Sequence, residues 1–205
     1  MVFSRFSAYV AIAMLGGAAL GLAGCGQQAG APQGPLPGEI ELSDQFTGVF
    51  SLVDKNENPV SQGDFAGKVM LVYFGFTHCP DVCPGDIGVM SATLNELGED
   101  AAEIAPVFIS VDPERDTPQT LRDYFAFDER IVPLTGDMEA SRAAQASFKV
   151  IAQKQPLPDS ALVYTIDHTR FYYIVDRNGQ PRKAVVGGVS PQDLAGVLRR
   201  SIETL

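Results

Sequence analysis

Hydrophobic positions along this chain alternate between short unbroken runs and helical stripes. Residues 69–76 (Val-Met-Leu-Val-Tyr-Phe-Gly-Phe) form an apolar, β-rich run without helical periodicity, which predicts a strand buried on both faces. From Pro84 onward Ile87, Met90, Leu94 and Leu97 recur at helical spacing as far as Gly98, which predicts a helix and its stop. Residues 107–111 repeat the buried-strand pattern. Thr117 with Pro118 reads as a cap and first turn, and Leu121, Tyr124 and Phe125 supply the apolar face of a second helix. A short strand at 132–135 and a helix over about 138–148 follow. Residues 171–175, the turn Asp176-Arg177-Asn178-Gly179 and residues 183–186 read as a hairpin, and Leu194, Val197, Leu198 and Ile202 mark a last amphipathic helix. Ahead of all these stand a short strand at 50–53 and a polar turn at 54–59. Residues 153–163, with Pro156 and Pro158, read as a mobile loop.

Strand and helix thus alternate and end in a hairpin plus helix. This predicts an α/β fold of thioredoxin type, a central mixed sheet flanked by helices. The N-terminal pattern differs. Arg5 is the only charged side chain before Glu39, and an uncharged, largely apolar run from Tyr9 to Leu22 gives residues 1–24 the layout of a secretory signal peptide. Leu22-Ala23-Gly24-Cys25 resembles a bacterial lipobox, which implies cleavage before Cys25 and lipid attachment to its sulfur; an uncleaved anchor helix over Phe6 to Ala23, short for a bilayer crossing, is the alternative. Thirteen residues, 26–38, contain ten Gly, Pro or Gln and read as a flexible tether, so the expected organisation is signal 1–24, lipidated Cys25 and linker 25–38, and one domain over 39–205. The expected location is membrane-anchored, on the periplasmic or extracytoplasmic face.

Composition narrows the function classes. The chain has 205 residues, 45% hydrophobic and 20% charged, which fits one globular domain with a short appendage. A net charge of −10 with no Lys/Arg cluster excludes a nucleic-acid tracker or a polybasic membrane binder. Of three cysteines, Cys25 belongs to the lipobox, which leaves Cys79 and Cys83. They follow the 69–76 strand in Cys79-Pro80-Asp81-Val82-Cys83-Pro84. With Pro84 as the first helical residue, Cys83 would be the cap and both sulfurs would lie near a helix N-terminus, which favours thiolate at an accessible edge. A disulfide closing so short a loop would add little stability, so the pair reads as chemistry rather than as a staple.

Sites in open α/β sheets form beyond the carboxyl ends of the strands. Two more segments reach that edge: Asp112-Pro113-Glu114-Arg115-Asp116-Thr117-Pro118, after the 107–111 strand, and Tyr164-Thr165-Ile166-Asp167-His168, before the hairpin. Taken singly, the first reads as a solvated, capped loop and the second as an ordinary histidine. Together with the cysteine motif, in this order and at these separations, they resemble the Sco/SenC family of copper chaperones over roughly residues 42–205. The resemblance implies one copper ion, Cu(I) or Cu(II), bound by Cys79, Cys83 and His168. It further implies a part in building the copper A centre of cytochrome c oxidase, with that oxidase subunit and a periplasmic copper donor as partners. Two thiolates and an imidazole form a soft donor set suited to copper, and three ligands leave a position open for transfer. Asp112 ends the strand expected beside the cysteine strand, so its carboxylate is expected near the site, orienting His168 or attracting the cation without binding it. His78 precedes the pair and is assigned a supporting or structural place.

Thiol–disulfide exchange is the competing activity, since the same cysteines on the same scaffold can reduce a partner's disulfide. Against it, Cys-x-x-x-Cys replaces Cys-x-x-Cys, and Asp167-His168 stands where a substrate-clamping proline would precede the hairpin. A peroxiredoxin-like peroxidase is a more distant third. The expectation is of binding and transfer rather than enzymatic turnover.

Overall fold

The computed structural model describes residues 34–205. The expected signal peptide, Cys25 and most of the linker lie outside the described residues. In chain order these residues form β1 (Glu39–Glu41), β2 (Ser51–Asp54), β3 (Pro59–Ser61), β4 (Val69–Gly75), α1 (Val82–Leu97), β5 (Ile104–Ser110), α2 (Pro118–Tyr124) and β6 (Val132–Thr135). Then come α3 (Met138–Ser147), β7 (Ala152–Pro156), β8 (Tyr164–His168), β9 (Phe171–Val175), β10 (Pro181–Val186) and α4 (Pro191–Thr204).

One mixed sheet, ordered β1-β10-β9-β4-β5-β6-β2-β3, organises the domain. Its centre is the parallel set β4, β5 and β6, with β9 antiparallel to β4 on the other side. Every residue of β4 and of β5 is buried, as expected of strands covered on both faces, and this is why both read as unbroken apolar runs. Helices complete the layers: α1 packs against α4, α2 lies against β6 and α3 against β2. Phe74, Phe148 and Tyr173 form an aromatic cluster within the core, with ring centroids 5.2 to 6.0 Å apart. The Thr117 cap read from the sequence is present, and α3 and α4 carry caps of the same kind. Thr117, Asp137 and Ser190 each accept a backbone N–H from the first turn of their helix, and Pro118 and Pro191 stand at the first positions of α2 and α4. Among the described residues no helix is long and apolar enough to cross a membrane.

Two departures from the expected plan bear on function. The end of the linker joins the domain, because Leu36 is buried and Glu39 on β1 is ion-paired with Lys183 and Arg200. Residues 153–163 are not a loop throughout. β7 and β8 form a separate antiparallel hairpin, with Ala152 opposite His168 and Pro156 opposite Tyr164. β7, Ala-Gln-Lys-Gln-Pro, is polar at its three central positions and has no buried residue, so no hydrophobic period betrays it.

Register then brings distant segments to one edge. Gly75 pairs with Ser110, so the loops after β4 and β5 leave the sheet side by side. Tyr73 pairs with Tyr172 on antiparallel β9, which places the chain just before β9 at that same edge.

Candidate metal centre

The cysteine loop runs from the end of β4 into α1. The helix starts at Val82, with Asp81 as its cap, two residues earlier than the sequence predicted, and Pro84 is its third residue. Proline is tolerated there because the first-turn N–H groups have no intrahelical partner to lose. This shift separates the two sulfurs. Cys83 lies inside the first turn and is 0% exposed, whereas Cys79 lies before the cap and is half-buried, so only one thiol keeps the accessible position expected of both. Among the described residues the Asp81 side chain accepts no capping bond. Cys79 Sγ takes that place, accepting the Cys83 N–H at 3.4 Å.

His168, the last residue of β8, places Nε2 3.2 Å from Cys83 Sγ. Its Nδ1 lies 3.0 Å from the Thr169 carbonyl. A carbonyl only accepts, so Nδ1 carries the hydrogen and, in the neutral ring, the Nε2 lone pair faces the sulfur. Edge-on contacts with Tyr73 and Phe76, at centroid distances of 6.3 and 5.9 Å, hold the ring plane.

The cysteines also differ in charge. Cys79 is lowered to about 5, chiefly by a hydrogen bond from Cys83, against the opposing effect of burial, with help from the N–H groups of Asp81 and Cys83 and the His168 ring. Cys83 is pushed well up by the same bond and by burial. The metal-free pair therefore behaves as a thiolate that accepts the neighbouring thiol's proton in a hydrogen bond. Cys83 meets both Cys79 and His168, and among the described residues no three His, Cys, Asp or Glu groups are already spaced around a common centre. These three residues could hold a metal ion, and an ion bound through both sulfurs and Nε2 would displace the Cys83 proton.

The Asp112 loop arrives beside them but works differently from expectation. Asp112 is buried; its carboxylate accepts from Arg115 Nε at 2.5 Å and from the Tyr164 hydroxyl at 2.8 Å. It does not orient His168, whose Nδ1 is held by Thr169. Its hold is on the hairpin, through Tyr164. Arg115 reinforces it by donating to the Leu162 and Tyr164 carbonyls, both at 3.1 Å, and by stacking 3.7 Å over the Tyr164 ring. Lys154 adds an ion pair to Glu114 at 2.6 Å.

Asp116 was not singled out by sequence. Fully buried, it accepts from Thr77 N, Thr77 Oγ1 and Ser110 Oγ, which ties the stretch before Cys79 to the end of β5, and burial raises its pKa. Its only sequence signal was membership of the charged 112–118 segment. His78, 3.9 Å from Asp116 and hydrogen-bonded through Nδ1 to Thr77 Oγ1, belongs to that brace.

The SCO1/SenC family model matches residues 39–203. The SCO2-like protein of Rickettsia felis is 33% identical over 172 residues, covering 82% of this chain and 84% of that protein. Among solved structures, Bradyrhizobium japonicum ScoI with copper bound is 38% identical with a TM-score of 0.68, covering 75% of this chain and 97% of that one. Arabidopsis thaliana ScoI with copper bound is 31% identical with a TM-score of 0.73, over 78% of this chain and 99% of that one. A thioredoxin-like sheet with its cysteine loop and facing histidine, and a family match that spans nearly the whole domain, lead to one conclusion: this chain belongs to the SCO1/SenC family.

Proposed function

We propose that this protein is a copper chaperone for cytochrome c oxidase assembly, binding one copper ion through Cys79, Cys83 and His168. The observation that carries this reading is the 3.2 Å approach of His168 Nε2 to Cys83 Sγ across 85 residues of chain. Copper is the cargo. Two sulfurs and one imidazole nitrogen match its preference for soft and intermediate donors, and they serve both Cu(I) and Cu(II). Cys79 is already a thiolate near neutral pH, so loading requires one proton to leave, from Cys83. Thr169 keeps Nδ1 protonated and Nε2 free. Half-exposed Cys79 is the natural side for entry and release. The expected recipient is the copper A subunit of the oxidase, and a periplasmic donor supplies the metal. Lipidation at Cys25 and the 26–38 linker would hold the domain at the extracytoplasmic face of a membrane.

The low Cys79 pKa favours one further reading, reduction of a disulfide in the acceptor subunit. Cys79 thiolate attacks the acceptor disulfide, Cys83 resolves the mixed disulfide, and two electrons pass to the acceptor as Cys79 and Cys83 become bridged. Replacing His168 by Ala separates the two activities. The variant is expected to lose tight copper binding, measured by metal analysis after dialysis, while Cys79 and Cys83 still form a disulfide. Copper binding at wild-type strength would remove His168 from the ligand set and favour exchange.

A further inference from the structure

Three residues after Cys83 on α1, and thus on the same side of the helix one turn on, stands Asp86, a carboxylate only 1% exposed. Two residues after His168 stands Arg170. The guanidinium grips the carboxylate through two bonds, Nε to Oδ2 at 2.5 Å and a terminal nitrogen to Oδ1 at 2.7 Å. The Tyr73 hydroxyl adds a bond at 2.9 Å and the Gly188 N–H another at 3.1 Å, so four donors satisfy the buried charge. Gly187 leaves room for this arrangement. A Cβ there would lie 2.6 Å from Arg170 Cγ and 2.8 Å from Asp86 Oδ2. The Gly187 N–H also donates to the Arg170 carbonyl at 2.9 Å.

We propose that Asp86 and Arg170 are positioning residues for the copper site, a clamp that sets where His168 stands relative to Cys83. This rests on Cys79, Cys83 and His168 being the ligands. His168 ends β8, an arm outside the main sheet, and Thr169, whose carbonyl aims the imidazole, lies between it and Arg170. The Arg170 fork pins this three-residue segment to the helix that carries Cys83. Tyr73 extends the clamp, since its hydroxyl is bound to Asp86 while its ring edge bounds the imidazole. The carboxylate acts through position, and its bonds among the described residues are to Arg170, Tyr73 and Gly188 rather than to a sulfur or an imidazole.

A thermodynamic cycle on copper affinity tests this, using competition with a chelator and the imidazole-nitrogen coupling in the Cu(II) spectrum as readouts. Asp86→Asn keeps the shape but loses the charge that holds the fork, and a loss of about tenfold to hundredfold in affinity is expected, with weakened nitrogen coupling. In a His168→Ala background the same substitution is expected to change affinity by less than about twofold, because the group it positions is gone. Arg170→Lys, which keeps charge but not the fork, should reproduce both results. Wild-type affinity in folded Asp86→Asn and Arg170→Lys overturns the proposal, as does an equal loss with and without His168. Failure of both variants to fold would also overturn it, by making the pair a determinant of the fold. If His168→Ala itself binds copper as wild type does, the ligand set fails instead, and the two failures are told apart.

Discussion

Removing the Cys83 sulfur should change the acidity of Cys79 more than any other single substitution. The Cys83 hydrogen bond is the foremost cause of the fall of Cys79 from 9.0 to about 5. At pH 7 a thiol with the lower value is about 99% ionised, and one with the ordinary value about 1%. Cys83→Ala deletes that donor but leaves the Asp81 N–H and the His168 ring, so the Cys79 midpoint should rise by at least about one unit without reaching 9. The assay is alkylation by iodoacetamide from pH 4 to 10, with the Cys79 peptide resolved by mass so that Cys25 does not contribute. Midpoint is the quantity to read, not rate. Intrinsic nucleophilicity grows with pKa at a slope of about 0.4 to 0.5, so a weaker acid's gain in reactivity offsets much of its lost thiolate at a fixed pH. A wild-type midpoint near 9, or an unchanged midpoint in Cys83→Ala, would refute the reasoning and remove the shared-proton description of the pair.

Asp112→Asn should keep one-to-one Cu(I) loading but lower Cu(II) retention about tenfold to hundredfold, because the hairpin bearing His168 loses its hold; complete loss of Cu(I) from a folded variant would make the carboxylate a ligand. Arg115→Ala should accelerate hydrogen exchange in β7 and β8 while leaving β4 and β5 protected, and uniform protection would show that the hairpin stands without this clasp. Asp128 is held at about 2, foremost by its hydrogen bond from Arg130. A lowered carboxylate stabilises above its unfolded pKa near 4 and loses that contribution as pH falls toward 2. Asp128→Asn should therefore flatten the stability profile between about pH 4 and 2, measured by denaturant midpoint, and an unchanged slope would contradict the assignment.

Much of the main sheet was legible because its central strands are buried on both faces, and continuous apolar runs such as 69–76 are the mark of that burial. The helices of this half were legible for a similar reason, since Thr117-Pro118 and the 194–202 stripe state both cap and face. What escaped is what packing rather than periodicity creates. β7 has no buried residue and a polar centre, and it forms because β8 offers it a ladder. The start of α1 moved because a sulfur, which capping preferences do not count, occupies the place of a cap. At the site, motif order brought Cys79, Cys83, His168 and the Asp112 loop to one edge. The partners of the Asp112 carboxylate, and the brace made by Asp116, depended on which side chains meet across 39 to 52 residues, and no local pattern records that.

The placement of His168 on an arm that leads into antiparallel β9 has a consequence for how the site comes into being. Cys79 and Cys83 are near in the chain and can meet before any tertiary structure forms, whereas His168, 85 residues beyond Cys83, reaches them only once β9 has found β4. Until then the nascent domain presents a bare dithiol. It is open to oxidation or to any thiophilic ion, and on the proposed ligand set the third donor arrives last. Copper held by that proposed set would bridge the two ends of a long loop, so a loaded domain should unfold at a higher temperature than an empty one, and surrendering the ion should also surrender that added stability.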